Sequence, residues 1–185
     1  MLKLVLPTQL RNPAAKTRMR KDIAEGLTWV LHNPAVRTLV LTIFIFNITF
    51  GAAWSVLVLY AQQRLHLGAV GFGLITTCSA VGGLIGTGLY GWITRHVSLA
   101  DIMRIGLIIE TLTHLALALT TNAVVALGIF TVFGAHAFVW FTTSQSVRQR
   151  AVPDDLQGRV SGVNMVGVFS TLVVGAALGG VIAQR

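Results

Sequence analysis

The stretch AVVALGIFTVFGAHAFVWFTT, Ala123 to Thr143, runs for 21 residues without a single Lys, Arg, Asp or Glu. At ~1.5 Å of rise per residue, such a segment is about 30 Å long as a helix, which is the thickness of a bilayer's hydrocarbon core. A helix on a soluble domain turns a polar face to water, and this stretch has no charged residue with which to build one. Its natural solvent is lipid.

Four further spans are apolar over similar lengths: Leu39–Tyr60, Val70–Ile93, Ile102–Thr121, which alone of them holds charged residues (Arg104 and Glu110), and Val160–Ala183. Over the whole chain of 185 residues, 54% are hydrophobic and only 11% charged, against about 25% charged in an ordinary soluble domain. The expected fold is therefore an all-α integral membrane protein of five transmembrane helices, with residues 38–185 forming the bundle. Residues 1–37 form a basic leader, in which Asp22–His32 repeats apolar residues at helical spacing (Ile23, Leu27, Val30, Leu31) and reads as a short helix at the membrane surface. Asn33-Pro34 breaks that helix, and the next begins close to Ala35.

A net charge of +8 in a soluble protein would raise a nucleic-acid reading, but here the charge follows topology. Seven of the fourteen basic residues, Lys3 to Arg37, precede the first span, and Arg95, Arg104, Arg148, Arg150 and Arg159 fall in or beside joints on the same side. Only Arg64 and Arg185 fall opposite. Basic residues near span ends are retained in the cytoplasm, so the N-terminus is expected inside. The leader's attraction is to anionic lipid, and no base-reading platform accompanies it, so no nucleic-acid partner is expected. The single cysteine, Cys78, lies inside a span and can build neither a disulfide nor a thiolate metal site within one chain.

Small residues mark two helices for close packing. Gly82, Gly83, Gly86, Gly88 and Gly91 lie in the second span, and Gly158, Gly162, Gly167, Gly175, Gly179 and Gly180 lie in or beside the fifth. Glu110 is the only acidic residue deep in a span, where an ionised carboxylate costs at least about 2.5 kcal/mol unless paired or hydrated. His114 follows one turn later on the same face, so the two can share a proton or a hydrogen bond, which makes them the proton-coupling candidates. Asn47, Thr49 and Trp54 in the first span, with His136, Trp140 and Gln145 in or beside the fourth, can line a cavity or bond between helices. Tyr60, Tyr90 and Trp92 near span ends suit an aromatic belt.

No phosphate-binding loop, dinucleotide fingerprint, zinc-protease helix or serine elbow occurs. The histidines never fall at metal-ligand spacing, so no catalytic residue, metal or cofactor is expected. The chain reads as a non-enzyme.

Two stretches carry a family resemblance. Asp22–Arg37, DIAEGLTWVLHNPAVR, resembles the EGLxxVxxNPxLR signature of the central loop before the seventh helix in major facilitator superfamily transporters, notably the branch of the enterobactin exporter. Gln145–Val160, QSVRQRAVPDDLQGRV, is similar to that branch's VPDELxGRV loop between the tenth and eleventh helices. The resemblance implies that the five spans are the seventh to eleventh helices of a twelve-helix carrier in the inner cell membrane. It also implies a fragment or half-carrier that needs an N-terminal six-helix partner, with a small-molecule substrate bound between the halves and driven out by proton exchange. On that frame Asn47, Trp54, His136, Trp140 and Gln145 face the cavity. The ninth helix of such carriers usually lies at the periphery, which makes Glu110 a weaker candidate for a substrate residue. Arg95 belongs to a partly matched Gly-rich cytoplasmic motif, and Arg148, Arg150, Asp154, Asp155 and Arg159 form a charge network that holds one conformational state. The alternative is a stand-alone structural or assembly subunit that binds a partner through its glycine faces.

Overall fold

A computed structural model of the chain describes residues 19–184. The expectations for the basic residues of 1–18, and for Arg185, lie outside the described residues. Helix α1 is Met19–His32, α2 is Pro34–Ser55, and α3, Leu57–Leu59, runs into a π-helical turn at Tyr60–Arg64. Then follow α4 (Ala69–His96), α5 (Leu99–Leu119), α6 (Ala123–Ala151) and α7 (Gln157–Ala183). Five of these, α2 and α4 to α7, are long and apolar enough to cross a membrane.

The helix ends differ from the apolar spans for local reasons. Helix α2 starts at Pro34 because the Asn33 Oδ1 accepts from the Val36 N–H at 3.3 Å, and proline at the first position has no N–H to leave unbonded. Helix α5 ends at Leu119, and the Asn122 Oδ1 starts α6 by accepting from the Val124 and Val125 N–H groups at 2.9 and 3.2 Å. Helix α6 continues past Thr143 to Ala151, since Ser144–Arg150 holds neither glycine nor proline to stop it. Pro153 then forces Val152 into an extended conformation (ψ 126°). Gln145, Arg148 and Arg150, expected in a connecting loop, therefore stand on the last turns of a helix.

Helices α4 and α6 run parallel as one pair, α2 and α7 as another, and α5 lies antiparallel along α6. The pairs are close because glycines remove the side chains between them. A Cβ at Gly82 or Gly86 would run into the backbone of Thr131 or Ala135, and one at Gly134 into the Ser79 carbonyl. Gly51, Gly175 and Gly179 do the same between α2 and α7, against Leu172, Ile48 and Ala52. Gly88, Gly91, Gly158, Gly162 and Gly180 meet nothing within 4 Å, so only part of the expected glycine pattern is used inside this bundle. The contributions of Gly51 and Gly134 come from helices that the glycine count alone did not mark.

Core packing concentrates at the two ends. At one end Leu57, Ala61, Leu65, Ile75, Ala126 and Phe130 cluster, while Val30, Val36, Val40, Val152 and Val160 cluster at the other. The Tyr60 hydroxyl donates to the Leu117 carbonyl at 2.7 Å, and Arg64 donates to the carbonyls of Ala118 and Thr120 at 2.7 and 3.2 Å. The π turn thus closes the orphan carbonyls at the C-terminus of α5 with a cation. Tyr60, expected in an aromatic belt, is spent on this tie.

Helix α1 packs on α7 and on the start of α2. Its Gly26 sits against the Arg159 backbone, and Arg159 pairs with Asp22 at 3.3 Å and Glu25 at 2.8 Å. The two stretches that carried the family resemblance are therefore in direct contact. Val30 is buried in this joint, whereas Ile23, Leu27 and Leu31 turn outward.

Candidate functional site

Between the two end clusters, α2, α5, α6 and α7 enclose a cavity of about 250 Å³. Glu110 reaches it from α5 and His136 from α6, and the His136 Nε2 lies 2.8 Å from the Glu110 Oε2. On its other oxygen, Glu110 meets the His114 Nδ1 at 3.2 Å. The Glu110 backbone carbonyl is also 2.9 Å from that nitrogen. A carbonyl only accepts, which makes Nδ1 the protonated nitrogen of His114 and turns its N–H toward both oxygens. Glu110 is 9% exposed. A carboxylate so buried is tolerable in an apolar bundle because two imidazole N–H groups can face its two oxygens.

Aromatic rings form much of the wall. Phe46 stacks on Trp140 with centroids 5.4 Å apart, and Phe50 stacks on both Trp54 (5.1 Å) and Phe133 (6.1 Å). Trp140 lies so close to α5 that a Cβ at Gly106 would collide with its indole. The missing side chain of Gly106 therefore seats the ring. The Trp140 Nε1, Thr143 Oγ1 and Asn164 Oδ1 are buried without a hydrogen-bond partner among the described residues, and Trp140 and Asn164 line the cavity.

Six of the residues singled out from sequence meet here: Asn47, Glu110, His136, Trp140, Gln145 and Arg148. Glu110, the weaker candidate for a cavity position, lines this one, because the antiparallel contact of α5 with α6 turns its carboxyl onto His136. Trp54 and His114 line a second cavity of about 170 Å³ instead. Thr49 is exposed and donates to the Phe46 carbonyl in its own helix.

The expected charge network takes a different form. Arg148 bonds Gln145 on its own helix, Asp154 accepts from Gln157 at 3.0 Å, and Arg95 donates to the Gly91 carbonyl at 3.0 Å. Among the described residues, Arg95, Arg148, Arg150, Asp154 and Asp155 form no ion pair. Of the residues expected in this network, Arg159 alone pairs across elements among the described residues, and its partners are Asp22 and Glu25 in α1 rather than the acids of its own loop. Among the described residues, no group of His, Cys, Asp and Glu is arranged to hold a metal ion.

The family model of the Major Facilitator Superfamily matches residues 1–183. The chain belongs to the Major Facilitator Superfamily. Its five apolar helices are thus those of a multi-pass membrane transporter, and the superfamily's work is the passage of small molecules across a bilayer rather than their chemical conversion. No curated protein and no solved structure matches the chain.

The residues that sequence reasoning missed are aromatic or small: Phe46, Phe50 and Phe133 in the walls, Gly106 beneath Trp140, and Asn164 opposite. Phenylalanine in an apolar span carries no signal separating cavity from lipid. Asn164, an amide inside an apolar run, was the one that polarity alone could have marked.

Proposed function

We propose that this chain is the C-terminal, cavity-lining half of a proton-linked carrier that exports small amphipathic molecules. Its spans are the seventh to eleventh helices of a twelve-helix transporter in the inner cell membrane, with the N-terminus in the cytoplasm. The observation that carries this reading is the Glu110–His136 pair, a buried acid and base 2.8 Å apart in the wall of an aromatic cavity. Such a pair can take up or give off a proton without leaving a bare charge in the membrane, which is what coupling to a proton gradient needs.

The same cavity supports an amphipathic substrate. Rings of Phe46, Phe133 and Trp140 offer flat apolar contact, while Asn47, Gln145 and the unpaired Asn164 amide oxygen offer hydrogen bonds to a polar end. Unpaired buried polar atoms cost free energy until something bonds them, so a polar ligand group has a place to go. The basic residues at the Arg148 end support the cytoplasmic assignment of that end. Arg159, bound to Asp22 and Glu25, is the gating contact of this reading, because it ties α1 to the start of α7. Any movement that separates these helices must break it.

The test is accumulation of a hydrophobic dye by everted vesicles under an imposed pH gradient. Vesicles holding this chain together with a six-helix N-terminal half are expected to accumulate the dye, and vesicles holding the chain alone are not. Silence in both, with the chain folded and inserted, would sink the carrier reading and favour a structural subunit.

A further inference from the structure

Four residues of α6 stand in one line along the larger cavity: His136, Trp140, Ser144 and Arg148, each about one helical turn after the last. The line ends in a cation. Arg148 is half-buried, whereas Arg150 is exposed. The Arg148 guanidinium donates to the Gln145 side chain beside it, and it makes no other hydrogen bond among the described residues. Gln145 thus holds the guanidinium in the cavity wall without neutralising it.

The acids of the chain are all accounted for elsewhere. There are six, and all lie among the described residues. Asp22 and Glu25 are paired with Arg159, and Asp101 with Arg104. Glu110 meets His136 and His114 with its two oxygens, and His136 is about 18 Å along α6 from Arg148 by helical rise. Asp154 accepts from Gln157 at 3.0 Å, and neither it nor Asp155 forms an ion pair among the described residues. The polar end of the cavity therefore carries an uncompensated positive charge.

We infer that Arg148 is an anion-binding subsite, and that the molecules held in this cavity carry an acidic group, a carboxylate, sulfonate or phosphate, on a flat apolar body. Resting on the carrier reading above, this narrows its amphipathic substrate to an organic anion. A guanidinium presents a planar fork of N–H donors that matches the oxygens of such a group. Trp140, with Phe46 stacked on it, lies about 12 Å back along α6, so one small molecule can reach the cation with its acid and the rings with its body. A half-buried charge is also screened less by salt than one on the surface, which sets Arg148 apart from Arg150.

Two fluorescent probes test the subsite, 8-anilinonaphthalene-1-sulfonate and N-phenyl-1-naphthylamine, which share one ring body and differ by the sulfonate. Binding of each to the whole chain in phosphatidylcholine nanodiscs is read by energy transfer from tryptophan, with empty discs subtracted. Arg148→Gln is expected to weaken the sulfonate by at least about 10-fold, the scale of a lost hydrogen bond to a charged group, and to leave the uncharged probe unchanged. Arg148→Lys keeps the charge and should recover part of that loss. Arg150→Gln should leave both probes unchanged.

Equal weakening of both probes by Arg148→Gln would make Arg148 a packing residue and overturn the subsite. Sulfonate binding that ignores Arg148→Gln, or that falls as far in Arg150→Gln, would overturn it too, the latter by showing general attraction to a basic surface. The dependence on Arg148 should persist when a six-helix N-terminal half is reconstituted with the chain. Its disappearance there would assign the guanidinium to an acid of that half and overturn the subsite. Arg148-dependent binding of the sulfonate without dye accumulation by the paired halves would remove the carrier reading and leave the anion subsite standing. Dye accumulation with sulfonate binding indifferent to Arg148 would do the reverse.

Discussion

Leucine in place of Gly134 is expected to prevent α4 and α6 from pairing, lowering stability by more than about 3 kcal/mol, at the upper end of overpacking effects. The size follows from what the side chain would meet. A Cβ at Gly134 would fall on the Ser79 carbonyl group, and backbone of a rigid helix cannot swing aside as a side chain tip can. In lipid no hydrophobic gain compensates for separated helices, because the tails are as apolar as the side chains. Gly88→Leu and Gly91→Leu supply the contrast, since a Cβ at either meets nothing within 4 Å. Helix propensity there favours the leucine by several tenths to about 1 kcal/mol. Thermal unfolding in detergent should separate the three variants, and equal behaviour of Gly134→Leu and Gly88→Leu would contradict the described packing.

The second large effect is functional. Glu110→Gln is expected to lower pH-driven dye accumulation by at least about 100-fold, on the scale that removing a positioned acid or base has elsewhere. Glutamine keeps the length and hydrogen-bonding capacity at the 2.8 Å contact with His136 but cannot take up a proton. The fold should survive, as judged by helical content and by the exposure of Trp140. Glu110→Ala differs, since it leaves His136, whose side chain is 7% exposed, without its partner. That variant should lose stability as well, by about 1–3 kcal/mol for an orphaned buried group. A Glu110→Gln variant that accumulates dye as the unaltered chain does would remove Glu110 from the coupling.

The spans were legible because lipid imposes one simple demand on sequence, a run of some twenty predominantly apolar residues, and α2 and α4 to α7 all meet it, α5 despite Arg104 and Glu110. Their ends were less so. Polar residues continue a helix as readily as apolar ones, so the last turns of α6, carrying Gln145, Arg148 and Arg150, extend beyond the apolar window that first defined it. The Glu110–His114 pairing could be read directly, since four residues along one helix make neighbours. The Glu110–His136 pairing could not. Those residues are 26 positions apart on different helices, and their register depends on how α5 settles against α6, including the seat that Gly106 makes for Trp140. Arg159 teaches the same lesson. Asp154 and Asp155 are its neighbours in sequence, yet the acids that bind it stand on α1, more than a hundred residues earlier.

The most direct test of the proposed function is the internal pH of vesicles holding this chain with the proposed six-helix partner, recorded while the dye is added with no gradient imposed. Coupled exchange predicts that dye movement drives proton movement in the opposite direction, and that Glu110→Gln abolishes this proton movement. Dye transport by the unaltered chain with no proton movement, or equal proton movement in Glu110→Gln, would contradict the claim that Glu110 couples this transporter to the proton gradient.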